Sequence, residues 1–432
     1  MSAGTWKLSA ATLVGNTIEV YDFNVYGTLT AIVFAKLFFP TADPVVGILL
    51  AFVTYAVGFL SRPLGGIVFG HLGDRYGRRS MLMWSLCLMG GTTFCMGLLP
   101  TYATAGVWAP ILLAVLRFLQ GFGVGGEWGG AVSLMVESTP PKRRGWYASL
   151  VQTGSGWGII LASATLSILL AALGPAALAA WAWRIPFLAS ILLVGFGVVI
   201  RRKIDESPAF RHVIEAEAPP KSPVLETIRR FPGRIGLAIG MYMATAAFGY
   251  LLGVFVVSYI VHQLHFSQSV AVNANLVAGF CYIAGILLAG WLSDRFGRLR
   301  VYLVCAIVLV VAPFLLFAML SAATVPMVFV AFAVADFIGG LPFGVTAALF
   351  TELFPARIRY SGISLGFQIA TVLGGALTPT IASLLLAATG GKWWSVAPYV
   401  SVLAVLMVGC ILGVRRVRLT PEVAPSLVDG PR

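Results

Sequence analysis

One short pattern occurs twice in this chain. Gly70-His-Leu-Gly73-Asp74-Arg75-Tyr-Gly77-Arg78-Arg79 returns as Gly290-Trp-Leu-Ser-Asp294-Arg295-Phe-Gly297-Arg298-Leu-Arg300. The copies lie 220 residues apart in a chain of 432. Each follows one long apolar segment and precedes another. A basic, glycine-containing hairpin between hydrophobic spans, repeated half a chain later, marks duplicated membrane halves, the architecture of a secondary transporter.

The rest of the chain agrees. It is 59% hydrophobic and only 10% charged, with a mean hydropathy of +0.92. No soluble domain of this length can hide so much apolar surface. A span needs roughly 20 apolar residues, and such segments fall near 9–35, 46–70, 80–99, 107–132, 146–173, 183–202, 233–261, 269–292, 301–320, 325–350, 361–388 and 394–414. The expected fold is therefore an all-α membrane protein. Its twelve transmembrane helices form two pseudo-symmetric six-helix bundles, 1–202 and 233–414. A charged, Pro-rich linker (203–232) joins them, and a tail (415–432) follows.

A net charge of +13 invites a nucleic-acid reading, which the positions of the charges reject. All 29 lysines and arginines except Lys36, Arg62, Arg117, Arg184 and Lys392 lie in the two ends and the loops of one side. That bias orients an inner-membrane protein with its basic side, and hence both termini, in the cytoplasm. The apolar run at the start reads as the first span rather than a cleaved signal. The five cysteines and four histidines show no metal-ligand spacing, so neither a metal nor a cofactor is expected.

The hairpins need small residues for close turning and an acid flanked by arginines. Gly70, Gly77 and Gly297 permit tight backbone approach. Asp74 and Asp294 can accept from a neighbouring helix N-terminus or an arginine and latch one face of the protein. Arg75, Arg78, Arg295 and Arg298 complete this gate. A second echo joins it: Glu137 and Arg144 after span 4, Glu352 and Arg359 after span 10.

Charge inside a span is costly, so each buried charge needs a cavity or a partner. Glu19 and Asp22 lie in span 1, Glu127 in span 4 and Asp336 in span 10, against Arg62 and Arg117. On a helix, Asn16, Glu19, Asp22 and Tyr26 share an arc of roughly 120°. Arg117, Gln120 and Glu127 share about 80°. Four acids exceed two arginines, so at least one acid is expected to be neutral part of the time. Glu19, Asp22 and Glu127 are the candidates for proton coupling. Arg117, with Gln120 one turn on, suits a carboxylate. Arg62, nearer the hairpin, suits a structural pair or a gate. Gln152, Trp157, Tyr250, Tyr282, Asp336 and Gln368 are further cavity-lining candidates, each weighed against ordinary packing. The glycine run 121–130 suits helix contact and lacks the strand and lysine of a nucleotide loop.

The chain resembles the metabolite:proton symporter family of the major facilitator superfamily. The resemblance rests on Gly15-Asn16 through Asp22-Phe23 with Tyr26-Gly27, on Arg62-Pro63-Leu-Gly65-Gly66, and on Arg117-Phe-Leu-Gln120-Gly121 through Glu127-Trp128-Gly129-Gly130. It also rests on Trp183-Arg184-Ile-Pro186-Phe187, Glu206-Ser-Pro208-Ala-Phe210 and Glu352-Leu-Phe-Pro355 through Arg359-Tyr360-Ser361-Gly362. It implies alternating access around a central cavity and uptake driven by the proton gradient, with small organic acids, proline or betaine as cargo. Shikimate-type carriers are the nearest match around 350–379. Asp336 departs from the family pattern. The expected partners are a small molecule, a proton and the lipid bilayer, with no nucleic acid and a monomer as the working unit. The alternatives are a proton-exchange exporter, a zwitterion importer and a receptor that binds without flux. An enzyme finds no nucleophile–base pair here.

Overall fold

The computed structural model describes residues 3–414 apart from 77, 126, 138, 140–142, 203–222 and 356–358. Twelve helical rods dominate the described residues. They are α1 (3–38), α2 (44–76), α3 (Arg78–Gly97), α4 (Trp108–Val124 and Glu127–Glu137), α5 (Arg144–Ala182) and α6 (Arg184–Arg202). The second six are α7 (Pro232–His262), α8 (Gln268–Phe296), α9 (Arg298–Leu320), α10 (Val325–Leu353), α11 (Arg359–Ala388) and α12 (Val396–Val414). The expected spans and the two six-helix bundles are thus present. Among the described residues, nine of the rods are long and apolar enough to cross a membrane. The other three, α1, α3 and α6, carry their own polar residues: Asn16, Glu19 and Asp22 on α1, Arg78-Arg79 opening α3, and arginines at both ends of α6.

Local chemistry sets several helix ends. Asp43 Oδ1 accepts from Val45 N at 2.9 Å, with Pro44 opening α2, a cap that satisfies an orphan N–H. Ser267 Oγ accepts from Val270 N at 3.3 Å at the start of α8. Gly297 turns the second hairpin with φ of +91°, a backbone that other residues resist. Its counterpart Gly77 lies outside the described residues, as do the side chains of Gly70's neighbours Asp74, Arg75 and Arg78, and of Glu137.

The duplication shows in the backbone as well. Wider π turns occupy Thr30–Phe34 in α1 and Leu251–Val256 in α7, the first helix of each half. They recur at Leu178–Ala182 in α5 and Thr371–Ala376 in α11, the fifth helix of each half. A π turn disturbs the regular carbonyl ladder and often marks a functional position. On α1 the carbonyls of that stretch meet the other half. Ala31 O lies 3.1 Å from His262 Nε2, and Ile32 O accepts from Gln268 Nε2 at 3.5 Å.

The halves meet along α5 and α8 through small residues. A Cβ on Gly156 would collide with Ile283, on Gly279 with Ile160, and on Gly290 with Ser149. In lipid, where burial of apolar surface between helices gains little, such close packing supplies the association. Asn275 Nδ2 donates to Ser163 Oγ at 3.1 Å and Ser167 Oγ to Asn273 Oδ1 at 2.6 Å across the same seam. On the hairpin face, Asp294 of α8 caps the N-terminus of α5: Oδ1 accepts from Gly145 N and Oδ2 from Trp146 N, both at 2.8 Å. Gly145 is needed there, because a side chain would strike Ser293 and Asp294. Arg298 stands 3.9 Å from Asp294 and pairs closely with Glu352. Arg295 lies over the rings of Trp291 and Phe296.

The halves therefore touch on the hairpin side, where α5 meets α8, and on the opposite side, where α1 meets α7 and α8. Asp294→Asn leaves one carbonyl for two N–H donors and removes the charge at a helix N-terminus, a loss of about 1–3 kcal/mol. We expect it to open the hairpin face. In a chain freed of its native cysteines, thiol labelling of Ser149→Cys should rise several-fold when Asp294→Asn is added, and unchanged labelling would remove the latch role.

Candidate functional site

Two of the interior charges on α1 and α2 pair directly. Arg62 Nη1 lies 3.3 Å from Glu19 Oε1. The same guanidinium sits over the rings of Phe23 and Phe59, 4.0 and 4.4 Å from their centroids, a stacking that a planar cation favours. Ser61 marks a turn within α2 immediately before Arg62.

Arg117 is placed differently. It is fully buried, over Tyr26 at 3.9 Å, Phe23 at 4.4 Å and Tyr55 at 5.2 Å. Gly58 and Gly121 make room for it: Gly58 faces the guanidinium, and a Cβ on Gly121 would strike the Gly58 carbonyl. Its Nη2 donates to Tyr55 O at 3.4 Å, and Nη1 donates to Gln120 Oε1. Among the described residues no carboxylate lies within ion-pair reach of it.

From Gln120 a chain of hydrogen bonds runs to Asp22. Gln120 Nε2 donates to Thr93 Oγ1 at 2.6 Å, and Thr93 Oγ1 donates to Asp22 Oδ2 at 2.9 Å. Thr93 has a second acceptor, Met89 O, also at 2.9 Å. One hydroxyl proton serves only one of these at a time, so this hydroxyl can change partner when Asp22 gains or loses a proton. The other oxygen, Asp22 Oδ1, is buried with no hydrogen-bond partner. Tyr26 closes the cage, with its hydroxyl 3.0 Å from Thr54 Oγ1 and its ring stacked on Tyr55.

Next to this network, Thr12, Asn16, Glu19, Glu127, Trp128 and Gln152 line one small cavity. Asn16 Nδ2 donates to Ser155 Oγ at 3.1 Å, tying α1 to α5. Trp128 Nε1 donates to Gln152 Oε1 at 3.2 Å. The Trp128 ring stacks on Phe367 of the other half, centroids 3.6 Å apart, and Phe367 stacks on Tyr242 at 4.4 Å. Gln368 Nε2 donates to Gly125 O at 3.2 Å where α4 breaks its helix. The glycine run thus exposes a carbonyl to the opposite half.

The structure brings together most of the residues singled out from sequence. Glu19, Asp22, Tyr26, Arg62, Arg117 and Gln120 form one network, with Asn16, Glu127 and Gln152 beside it. Tyr250 joins from α7, its ring 4.9 Å from Phe59 and 6.1 Å from Tyr55. Tyr282 and Asp336 lie in the second half, where Tyr282 stacks on Phe343. Trp157 does not join them: it is 42% exposed and packs edge-on against Phe280. The outer gate residues Arg144 and Arg359 bond to Thr139 O and Phe354 O, each at 3.4 Å. Thr93, Tyr55 and Phe367 are absent from the sequence expectation, and Phe23 enters it only as part of the resemblance, with no role assigned. A single threonine in an apolar span and isolated aromatic residues carry no pattern that separates contact with a buried arginine from packing. Among the described residues no three His, Cys, Asp or Glu side chains gather as a metal ion would require.

Comparison with known proteins accounts for the whole chain. The family model for sugar (and other) transporters matches residues 8–231, and that for the major facilitator superfamily matches 237–431. The shikimate transporter of Escherichia coli (strain K12) is 39% identical over 418 residues, covering 95% of this chain and 94% of the relative. The proline/betaine transporter of the same strain is 35% identical, covering 94% and 82%. A solved proton:xylose symporter superposes with a TM-score of 0.75 at 18% identity, covering 95% and 96%. The chain belongs to the major facilitator superfamily and is a multi-pass membrane transporter rather than an enzyme.

Proposed function

We propose that this chain imports a small carboxylate-bearing metabolite together with protons, with Asp22 as a proton carrier and Arg117 as the group that answers it. One observation carries this reading. Among the described residues Arg117 has no carboxylate partner, yet it is wired to Asp22 through Gln120 and Thr93. A buried acid and a buried arginine in one network, held apart in this structure, form a pair whose contact can be made and broken.

Ionised Asp22 draws the guanidinium out of its cage of Phe23, Tyr26 and Tyr55. Protonated Asp22 no longer attracts it, and Arg117 is then available for the cargo's carboxylate, whose planar geometry matches the fork. Loaded, the two bundles (1–202 and 233–414) rock about the α5–α8 seam, with the linker 203–232 allowing their relative motion. The hairpin face is the cytoplasmic one, both termini lie there, the membrane is the bacterial inner membrane, and one chain is sufficient. Glu19 is held by Arg62 and serves structure and gating. Similarity to a shikimate transporter at 39% identity supports a hydroxylated cyclic acid as the first cargo to test.

Uptake into proteoliposomes tests the reading directly. Labelled shikimate, 2-oxoglutarate, citrate, proline and betaine are offered with and without an inward proton gradient. Accumulation of one compound only with the gradient is the expected result. Accumulation that ignores the gradient would exclude proton coupling. Asp22→Asn should sharply lower uphill accumulation while leaving exchange of cargo across the membrane within a few-fold of the parent. Arg117→Lys keeps the charge and loses the fork. It should raise the KM for cargo at least about tenfold, roughly 1.4 kcal/mol, and an unchanged KM would move the anion site elsewhere. Thr93→Ser should transport normally, whereas Thr93→Val should slow proton-driven uptake without a comparable rise in cargo KM.

A further inference from the structure

The second half of the chain contains one acid in its membrane interior and no basic residue to meet it. No lysine or arginine occurs between Arg234 and Arg295, between Arg300 and Arg357, between Arg359 and Lys392, or from there to the end of α12. Asp336 lies near the middle of α10, 5% exposed, and its Oδ2 is buried with no hydrogen-bond partner. No ion pair reaches it among the described residues.

Its neighbours cannot supply a positive charge. On its own face of α10 are Gly339, Gly340 and Phe343. Gly339 faces the ring of Phe248, and Gly340 lets α10 approach the Tyr282 carbonyl of α8. Along the middle of the packed helices the titratable side chains are Cys281 and Tyr282 on α8, Tyr302 and Cys305 on α9, and Tyr242 and Tyr250 on α7, none of them cationic; the cations of these helices, Arg234 and His262 on α7, Arg295 on α8, and Arg298 and Arg300 on α9, lie in their end turns. The Tyr302 hydroxyl is committed to Met241 O at 2.8 Å. α5 carries no charged residue between Arg144 and Arg184. The part of α4 that packs on α10 sets Trp128 against Phe350, far along the helix from Asp336.

An ionised carboxylate in this setting is expensive, and proteins do not leave one unmatched. We propose that Asp336 is a second proton-binding site, so that each cargo molecule crosses with two protons, one carried in each half. This rests on the proton-coupled reading above. Asp22 carries the first of these protons in that reading, and Asp336 carries the second. Next to Asp336, α10 packs closely on α8 at Phe337–Gly285 and Gly340–Tyr282, and α8 also meets α5 across the seam between halves. Rocking at that seam therefore moves the wall of the Asp336 site and gives it a route for loading and release.

The test is the equilibrium accumulation of the transported cargo in proteoliposomes, with the membrane potential clamped at zero. One coupled proton gives about a tenfold cargo ratio per pH unit, and two give about a hundredfold, since each tenfold step corresponds to the same free energy of about 1.4 kcal/mol. The parent chain should follow the steeper line. Asp336→Asn, folded by size-exclusion and thermal-unfolding criteria, should fall to the shallower line while still accumulating cargo, and Asp336→Glu should return to the steeper one. A parent chain on the shallower line overturns the proposal even if no Asp336 variant folds. So does Asp336→Asn that keeps the steeper line, with or without a loss of cargo affinity; a loss would make Asp336 a contact for a cationic group of the cargo. A parent chain that ignores the gradient altogether would fail the proton-coupled reading itself, which is a different result.

Discussion

Neutralising charge away from water is the constraint on which the rest of this structure depends. A carboxylate in the hydrocarbon interior is tolerated only with a partner, a proton or a water-filled cavity. The chain meets that demand in three different ways. Glu19 is matched by Arg62 at 3.3 Å, and the pair is wrapped by Phe23 and Phe59. Arg117 is matched by rings and amides rather than by an acid. Asp22 and Asp336 each keep a buried oxygen with no partner. The first arrangement is stable and suits a fixed joint. The others are unfinished, and a transporter needs unfinished contacts, because a group that is satisfied in every state cannot bias one state over another.

The seam between the halves solves a mechanical version of the same problem. A rocking interface has to be close enough to exclude lipid and water, yet without large side chains that would interlock. Gly145, Gly156, Gly279 and Gly290 supply that surface. The fixed points are polar and lie at its ends and middle: Asp294 on the α5 N-terminus, and the Ser163–Asn275 and Ser167–Asn273 pairs. The Asp294 contact combines a carboxylate with the positive end of a helix, which strengthens both hydrogen bonds. Arg298 and Glu352 continue it towards α10. On the opposite face the contact is weaker in kind, two side-chain donors on the carbonyls of a π turn in α1.

Much of this was legible in the sequence because lipid imposes simple rules. Span length, the one-sided basic loops and the repeated hairpin give twelve helices in two halves before any contact is known. The polar stripe Asn16–Glu19–Asp22–Tyr26 follows from helical period alone, and it does converge with Arg62 and Arg117. The period cannot say which acid meets which arginine. Glu19 and Asp22 are one turn apart, and only the packing of α2 and α3 against α1 gives the first an ion pair and the second a threonine. Trp157 shows the opposite limit. As an aromatic residue within a span it is a cavity-lining candidate, but the helix is rotated so that it meets Phe280 and the surface. Rotation about a helix axis is set by neighbours, and in a membrane both faces of a helix can be apolar, so hydropathy does not report it.

Thr93 illustrates why a relay is the hardest element to read in advance. Its hydroxyl returns to the Met89 carbonyl of its own helix, as threonines in apolar helices commonly do, and nothing in the sequence distinguishes it from Thr92, which does the same. The difference lies in what stands opposite. Thr92 turns its hydroxyl only to its own helix, whereas Thr93 sits between Gln120 of α4 and Asp22 of α1. A hydroxyl with one proton and two acceptors has two settings of similar geometry, and under the proposed proton coupling Asp22 selects between them through its own protonation. The charge state of an acid on α1 is thereby linked to the hydrogen bonding of Gln120, and through it to the freedom of Arg117. Three helices of the first half are coupled by groups that carry no net charge, which lets the signal cross an apolar bundle without adding another ion to it.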